Sequence, residues 1–176
     1  APITLPDVMV SEWKARAQEG GTVNGRFIFP NGTTGLVMGP SEIMGDVTFE
    51  NSNGVTIKGP LYIHGNLTIK SNTIIQEDPA LGNQFIPIIV DGIVNISSNV
   101  SFLGSTSSTG AFLLVSTHSA VPGDDAAIMT SSNNSDLGRV VLYASDGDIH
   151  IRSNRTILAA FATHGTGTDS DDNGAV

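Results

Sequence analysis

The chain has 176 residues, and its 8 Lys and Arg stand against 17 Asp and Glu, which gives a formal net charge of −9. This length predicts a single domain, and the shortage of basic side chains argues against nucleic acid as a partner. The absence of Cys excludes disulfides, thiolate catalysis and cysteine-ligated metals. No apolar run approaches the roughly 18 residues of a membrane span, so we expect no direct membrane insertion. The start at Ala1, without an initiator Met, leads us to expect a processed chain.

One stretch near the start is typical of an amphipathic helix. Val10, Trp13 and Ala17 recur on one helical face, and two glycines then end the pattern. We expect a helix over about residues 6–19, within an N-terminal segment of residues 1–21. Because the open end of a stack of strands exposes main-chain edges, we expect this helix to cap that end.

An internal repeat follows the N-terminal segment. The pattern Gly-x-aliphatic-x-Ile-x-Ser-Asn occurs at 65–72, 92–99 and 147–154, with looser copies at 45–52 and 126–133. Each unit contains short alternating strands separated by Gly, Asn, Ser or Pro, which indicates an all-β chain. A unit of about 20 residues with three short strands is typical of one coil of a parallel β-solenoid.

The repeat therefore predicts the fold. We expect a single-stranded parallel β-helix of about five to six coils over residues 22–164, followed by an acidic, Gly-rich tail at 165–176. We expect a right-handed coil, as is usual for parallel crossover connections. The copies begin 20, 27, 34 and 21 residues apart, and we expect the extra residues to form loops at about 76–86 and 116–125.

The alternation of the strands also predicts which side chains stack on one another. Apolar side chains of the repeat point inward, in a column of Val47, Leu67, Val94, Ile128 and Ile149. The residues between them point outward, in a column of Thr48, Thr68, Asn95, Met129 and His150. The end of the repeat forms a corner that suits a left-handed backbone and a ladder of amides, at Asn72, Asn99, Asn133 and Asn154.

A candidate site lies at the position before the repeated glycine, which is occupied by His64, Asp91, Asp125 and Asp146. Carboxylates that stack a few ångströms apart bind a cation, share a proton or turn into water. Polysaccharide lyases and hydrolases of the parallel β-helix type keep acidic clusters at such corners, so an enzyme is the leading alternative function. Asp-Gly is also ordinary turn chemistry with solvated side chains, and we favour this interpretation.

The acidic tail resembles the opening of a calcium-binding loop. Asp169, Asp171 and Asn173 hold positions 1, 3 and 5 of an EF-hand-type loop, and Gly174 holds position 6. No acidic residue follows at position 12. A weak calcium site and a solvated acidic tail are therefore both open, and we expect no other cofactor.

Six Asn-x-Ser/Thr sequons are glycosylation candidates if the chain is exported through a glycosylating pathway. They are Asn31, Asn66, Asn95, Asn99, Asn133 and Asn154. Several follow from the repeat itself, because its outward strand position accepts Asn and strands favour Thr.

Motifs over about residues 11–162 carry a family resemblance. They include Ser11-Glu12-Trp13-Lys14, Gly45-Asp46-Val47-Thr48, Pro60-Leu61-Tyr62-Ile63-His64-Gly65 and Ile89-Val90-Asp91-Gly92. In this order they resemble the β-solenoid domain of PilX-like, prepilin-associated surface proteins of bacteria. The resemblance implies a non-enzymatic domain displayed at the cell surface, with no catalytic residues to carry over to this chain.

We therefore expect an extracellular, structural or adhesive protein that associates with itself into a homo-oligomer or a surface filament. Stacked coils with small, neutral faces favour such repetitive association. A surface glycan and pilus proteins are the other partners that this interpretation admits. An ice-binding protein is a second alternative, because Thr48 and Thr68 begin a Thr row that Asn95, Met129 and His150 interrupt.

Overall fold

The structure, a computed structural model, describes the chain over residues 7–104, 110–119, 126–131, 137–152 and 160–163. In this part of the chain one α-helix, α1 (Asp7–Glu19), precedes a long series of short strands. The strands pair in parallel throughout. The predicted all-β parallel architecture with one short N-terminal helix is therefore confirmed.

The strands, numbered along the chain, form three sheets within the described residues. Sheet I contains β1 (Thr22–Val23), β4 (Ser41–Ile43), β7 (Leu61–Ile63), β10 (Phe85–Val90), β13 (Ala111–Ser116), β15 (Val140–Ala144) and β17 (Ala160–Thr163). Sheet II contains β2 (Phe27–Phe29), β5 (Val47–Phe49), β8 (Leu67–Ile69), β11 (Val94–Ile96), β14 (Ile128–Thr130) and β16 (Ile149–Ile151). Sheet III contains β3 (Val37–Met38), β6 (Asn53–Ile57), β9 (Ile74–Glu77) and β12 (Ser101–Leu103).

The chain visits the three sheets in a fixed order. From β1 to β12 it places one strand in sheet I, the next in sheet II and the next in sheet III, and then begins again. Each strand pairs with the strand of the preceding round, as β4 does with β1 and β7 with β4. After β12 the described strands alternate between sheets I and II. An isolated parallel bridge joins Phe102 of β12 to Gly138, which lies between β14 and β15 in the chain.

The strand register agrees with the columns predicted from the repeat. Pairing within sheet II aligns the inward side chains Val47, Leu67, Val94, Ile128 and Ile149. The same pairing aligns the outward side chains Thr48, Thr68, Asn95, Met129 and His150. The inward column is fully buried as far as Ile128, whereas the outward column is half-buried. Unequal spacings between repeats leave this register intact because the extra residues lie in the connections.

Apolar side chains from all three sheets meet in one core. Phe29 stacks on Phe49 with ring centroids 4.2 Å apart and planes 6° from parallel. Such stacks arise because parallel strands hold each side chain above its counterpart, at a strand spacing of about 4.8 Å. Burial of these columns is the main source of stability in a fold with so little helix.

One corner of the fold is formed by asparagines in the left-handed region. The φ angles of Asn51, Asn72 and Asn99 are 43°, 61° and 56°. Asn99 Nδ2 donates a hydrogen bond of 3.2 Å to Asn72 Oδ1. Asn tolerates this region better than other side chains that carry a Cβ. The predicted Asn corner is confirmed for Asn72 and Asn99, while Asn133 and Asn154 lie outside the described part of the chain.

The glycine that opens the repeat is required by the close approach of neighbouring backbones. A methyl group at Gly92 would lie 2.8 Å from the carbonyl oxygen of Gly65, and one at Gly65 would lie 2.6 Å from the amide nitrogen of Asp46. Side chains join the same corner across the strands. Asp46 Oδ1 accepts a hydrogen bond of 2.7 Å from the Asn66 amide, and Asn66 Oδ1 accepts one of 2.8 Å from the Ile93 amide.

Helix α1 covers the outer face of sheet I, so the prediction that it caps the open end of the strands is wrong. It packs on an apolar outward row that consists of Tyr62, Ile89, Val115 and Tyr143. Ala17 is buried in this cluster, and Val10 and Trp13 pack against it. The predicted helical face is therefore the one that is used. The helix docks on the sheet because this row of aromatic and branched side chains, which would otherwise face water, offers apolar area to bury.

The extra residues between β9 and β10 form the loop expected near residues 76–86. It contains a short 3-10 helix, Pro79–Leu81, whose start is capped by Asp78 Oδ1, which accepts a hydrogen bond of 2.9 Å from the Ala80 amide. Of the loop expected at 116–125, residues 120–125 lie outside the described part of the chain.

Candidate functional site

Two of the predicted site residues meet at the end of sheet I. His64 follows β7 and Asp91 follows β10, and these strands pair so that Ile63 lies opposite Val90. The side chains therefore leave the sheet next to each other, and His64 Nδ1 lies 3.6 Å from Asp91 Oδ2. The repeat correctly predicted this pair.

The next position in the row belongs to Thr117 and not to an acid. The Thr117 amide donates a hydrogen bond of 2.9 Å to the carbonyl of Val90, which continues the ladder of β13 by one residue. Its hydroxyl donates a hydrogen bond of 2.9 Å to Asp91 Oδ1. The predicted column is therefore wrong beyond Asp91, because the strand continues to Thr117 before the connection to the next repeat begins.

Asp146 lies one position outside the row. Because Ser116 pairs with Ala144, the residue aligned with Thr117 is Ser145. Asp146 follows it, is exposed, and accepts a hydrogen bond of 2.7 Å from the Ser119 hydroxyl. Asp125, the remaining predicted member, lies outside the described residues.

Asp91 instead joins helix α1 to sheet I. Lys14 Nζ of the helix donates a hydrogen bond of 2.7 Å to Asp91 Oδ1, and the Tyr62 hydroxyl donates one of 2.7 Å to Asp91 Oδ2. Lys14 Nζ also lies 4.4 Å from the centre of the Tyr62 ring, within the range of a cation–π contact. With the Thr117 hydroxyl, three donors from three elements converge on one carboxylate.

The surroundings keep Asp91 ionised and Tyr62 neutral. Burial, the largest single influence, raises the pKa of Asp91, but the hydrogen bonds from Lys14, Tyr62 and Thr117 together outweigh it and hold that pKa below its ordinary value. Burial, followed by the hydrogen bond to Asp91 and the charge of Asp91, raises the pKa of Tyr62 well above its usual range. The pair is thus a fixed acceptor and a fixed donor at neutral pH.

Glu42, which the repeat did not single out, extends this network. His64 Nε2 lies 2.9 Å from Glu42 Oε1, and the Gln18 side-chain amide donates a hydrogen bond of 2.8 Å to the same oxygen. The Thr22 hydroxyl donates to Glu42 Oε2 at 3.2 Å. The hydrogen bonds from Gln18 and His64 are the largest influences on the pKa of Glu42 and lower it. Its strand position opposite Tyr62 is the signal that could have identified it.

We call this network the helix clamp, and its members are Lys14, Glu42, Tyr62, His64 and Asp91. Every carboxylate oxygen in it accepts a hydrogen bond, and both acids have pKa values below their ordinary range. A general acid requires a raised pKa, and a general base requires a free oxygen directed at substrate. The geometry of the clamp therefore suits the attachment of α1 to sheet I.

A cavity of about 380 Å³ lies between the last turn of α1 and the loop before β10, and no member of the helix clamp lines it. Its polar lining includes Arg16, Glu19 and Lys58, and Phe85 lies at its apolar side. We call it the Arg16 cavity. The repeat gave no sign of this cavity apart from a recurring proline, at Pro40, Pro60 and Pro87, that lines it.

A second surface, which we call the N-terminal edge, consists of the first strand of each sheet: β1, β2 and β3. Each is the terminal strand of its sheet and pairs on one side, with β4, β5 and β6 respectively, among the described residues. The core side chains Val23, Phe27 and Leu36 are only partly buried there. Outward-facing Ile28 and Val37 on the same strands are 41% and 49% exposed.

The structure places four of the six sequons. Asn31 is exposed in the turn after β2, and Asn95 is half-buried on the outer face of β11. Asn66 and Asn99 are exposed, but both side chains form hydrogen bonds within the repeat corners. Asn133 and Asn154 lie outside the described residues.

Metal binding has no candidate in the described ranges, where no group of three or more His, Asp or Glu side chains is arranged to hold an ion. The calcium candidates Asp169, Asp171 and Asn173 fall outside those ranges.

Comparison of the chain with protein-family models, with curated proteins and with solved structures gives no match in any of the three. In the part of the chain that the structure describes, no helix has the length and apolar character needed to cross a membrane.

Proposed function

We propose that this chain is an extracellular structural protein, a parallel β-solenoid of about five to six coils, whose copies associate end to end through the N-terminal edge. The observation that carries the proposal is the edge itself, where all three sheets end on strands that have one partner among the described residues. The fixed order in which the chain visits the sheets supports the solenoid. The second copy would add its strands to the same three ladders.

The main chain of the N-terminal edge supports this association. The carbonyls of Gly21 and Val23 accept hydrogen bonds of 2.9 Å from the amides of Glu42 and Met44 in the next round. Successive residues of a parallel strand direct their main-chain groups to opposite sides. Thr22 therefore directs its amide and carbonyl away from β4, towards the open side.

The other two strands of the edge have the same polarity. The Phe27 amide and the Phe29 carbonyl form hydrogen bonds with β5 and its flanking residues, so the main-chain amide and carbonyl of Ile28 point away from β5. The carbonyls of Leu36 and Met38 form hydrogen bonds on the β6 side, so the main-chain groups of Val37 point away from β6. Unpaired edges of this kind are templates for strands of another chain.

Apolar area at the edge supports the same conclusion. Val23, Phe27 and Leu36 belong to the inward columns, yet they are only partly buried because no described round covers them. Stacking a second copy on this end would bury these side chains as the inner rounds bury theirs, and each buried methylene contributes about 0.8 kcal/mol. Within repeat proteins, such nearest-neighbour contacts between repeats supply much of the stability.

The family resemblance and the chemistry of the helix clamp bear on the alternatives. The resemblance of the motifs to those of PilX-like surface proteins supports an extracellular location. For the enzyme alternative, Asp91 of the predicted corner has a pKa below its ordinary value and both of its oxygens accept hydrogen bonds within the helix clamp, which favours a structural role for it. For the ice-binding alternative, Thr48 and Thr68 are neighbours but are flanked in the column by Ile28 and Asn95, so the row is only two threonines long.

The proposal is tested by sedimentation velocity and negative-stain electron microscopy over a range of protein concentrations. We expect the unmodified chain to form dimers or longer end-to-end assemblies, and we expect Ile28→Lys to weaken them because it places a charge beside the contact. Thr68→Lys is the matched control, because Thr68 lies in the same outward column as Ile28 but on β8, which pairs with a strand on each side. A chain that is monomeric at all concentrations, or loss of assembly in both variants alike, would contradict the proposal.

A further inference from the structure

We propose that the Arg16 cavity binds a saccharide that carries carboxylate groups, such as a segment of a uronic-acid chain. The site is separate from the N-terminal edge and would give the protein an adhesive function in addition to self-association. The charges, the apolar floor and the size of the cavity each support this ligand class.

The cations of the cavity have no partner among the described residues. Arg16 and Lys58 line it, both are exposed, and neither forms an ion pair there. By contrast, Lys14 and Lys70 each bond to a carboxylate at 2.7 Å. In a chain with a net charge of −9, two uncompensated cations at one cavity favour an anionic ligand. The Arg guanidinium matches a carboxylate with two parallel hydrogen bonds.

The remaining polar groups suit hydroxyls. Glu19 lines the same cavity without pairing with Arg16 or Lys58, and Gln84 contributes an amide. A carboxylate accepts hydrogen bonds from hydroxyl groups, and an amide both donates and accepts. A sugar acid, which has one carboxylate and several hydroxyls, uses all of these groups, whereas a simple inorganic anion would leave Glu19 repelled.

The floor of the cavity is apolar and stiff. Pro40, Pro60 and Pro87 each precede aligned residues of β4, β7 and β10, so the three prolines lie in a row along the floor, with Pro40 half-buried and Pro60 and Pro87 buried. Phe85 beside them is 60% exposed, whereas Phe29 and Phe49 are buried in the core. An exposed aromatic ring at a concave site offers a surface on which the C–H face of a pyranose ring packs.

The cavity has the dimensions of a small-molecule site. Its volume of about 380 Å³ falls in the range of roughly 300–1,000 Å³ that is typical of ligand pockets. Proline rings and close-packed glycines fix its walls, since a methyl group at Gly59 would lie 2.9 Å from the Pro40 nitrogen. A preformed wall reduces the entropy that is lost when a ligand binds.

The acidic segment of residues 169–172 in a second copy is the alternative occupant. Its sequence Asp-Ser-Asp-Asp supplies carboxylates for Arg16 and Lys58. It supplies no ring or apolar group for the floor formed by Phe85 and the prolines, so the observations favour the saccharide.

The test is isothermal titration calorimetry of the full chain with tetragalacturonate, and with its methyl ester as the uncharged probe. We expect binding of the acid and at least tenfold weaker binding of the ester, because the ester removes charge-assisted hydrogen bonds. The double variant Arg16→Gln/Lys58→Gln removes both cations of the cavity. It is expected to weaken binding of the acid by about tenfold or more. Phe85→Ala is expected to weaken both probes.

Arg26→Gln is the control variant, because Arg26 is an exposed cation that does not line the cavity. It should leave the affinity within about twofold, since a distant surface charge is screened by salt. Equal binding of acid and ester, or equal losses in Arg26→Gln and the cavity variant, would overturn the proposal. So would binding of the peptide Asp-Ser-Asp-Asp in place of tetragalacturonate, which would assign the cavity to the acidic segment. The readout does not depend on end-to-end assembly, so failure of one proposal is distinguishable from failure of the other.

Discussion

Lys14 and Asp91 are 77 positions apart in the chain, yet their side chains form a hydrogen-bonded ion pair of 2.7 Å. The pair joins the only described α-helix to the fourth strand of sheet I, and it is about three-quarters buried on the lysine side. Asp91 belongs to the predicted column of acids that only the enzyme alternative would use in catalysis. Its hydrogen bonds to Lys14 and Tyr62 indicate that Asp91 holds the helix on the sheet.

Loss of this pair is predicted to destabilise the fold more than loss of an exposed pair of equal length. Lys14→Gln should lower the free energy of unfolding by about 1–2 kcal/mol, because Asp91 then keeps a partly buried charge without its cation. Lys70→Gln is the control, since Lys70 and Glu50 also bond at 2.7 Å but are 50% and 33% exposed. We expect that control to change stability by about 0–1 kcal/mol. Denaturant unfolding of both variants measures the difference, and equal effects would refute the role of the clamp.

Docking of α1 is predicted to weaken in acid. The pKa of Asp91 is lower in the folded chain than its ordinary value of 3.8, so its contribution to stability is complete above that pH. The contribution is lost as the pH falls through the lower folded value, where the carboxylate takes up a proton. Trp13, the single tryptophan, packs against the cluster under α1, so its fluorescence reports undocking.

The control for the acid titration is Asp91→Asn, which removes the titrating group. We expect the fluorescence change of this variant below pH about 3.8 to be smaller than that of the unmodified chain. A titration that is identical in the two proteins would show that Asp91 does not couple docking to pH.

Removal of one buried hydroxyl is predicted to stabilise the protein. Thr130 lies between Ile96 and Ile151 in an inward column, and its Oγ1 has no hydrogen-bond partner among the described residues. Thr130→Val keeps the shape and removes the unsatisfied group, which should raise the free energy of unfolding by about 1 kcal/mol. Thr68→Val, on the half-buried outer face, should change it by less than about 0.5 kcal/mol. A destabilised Thr130→Val would indicate a partner for the hydroxyl.

Two glycines are predicted to respond differently to alanine. Gly92→Ala should destabilise by about 3 kcal/mol or more, because its Cβ would overlap the backbone at Gly65 and the strands would have to separate. Gly32 has φ of 75° and open space around its Cα, so Gly32→Ala should cost only the left-handed strain of about 1–2 kcal/mol. Thermal unfolding of the two variants ranks these effects, and a milder effect at Gly92 would contradict the close approach of the rounds.

The repeat predicted the features that depend on local spacing. The alignment of Val47 with Leu67 and the left-handed backbone of Asn72 both follow from residues within one or two repeats, and both are confirmed. The helix itself was equally predictable from the period of Val10, Trp13 and Ala17.

Features that depend on partners distant in sequence were not predictable. The position of α1 is set by an outward row of sheet I, which becomes visible only when Tyr62 and Ile89 are known to be neighbours. The prediction of an acidic column was wrong because main-chain pairing of β13 continues to Thr117. The Gly motif of the repeat does not show how far this pairing extends. The Arg16 cavity is lined by the end of α1 and by residues near Phe85. No sequence periodicity relates these two segments.

Residue-resolved hydrogen exchange of the main-chain amides at the N-terminal edge tests the central proposal most directly. If copies associate end to end, the amides of Thr22, Ile28 and Val37 should exchange freely in dilute solution and become protected as the protein concentration rises. The amide of Phe27, which already bonds to the Asp46 carbonyl at 2.8 Å, should be protected throughout and serves as the internal reference. Unchanged exchange of Thr22, Ile28 and Val37 in samples that contain assemblies would contradict association through this edge.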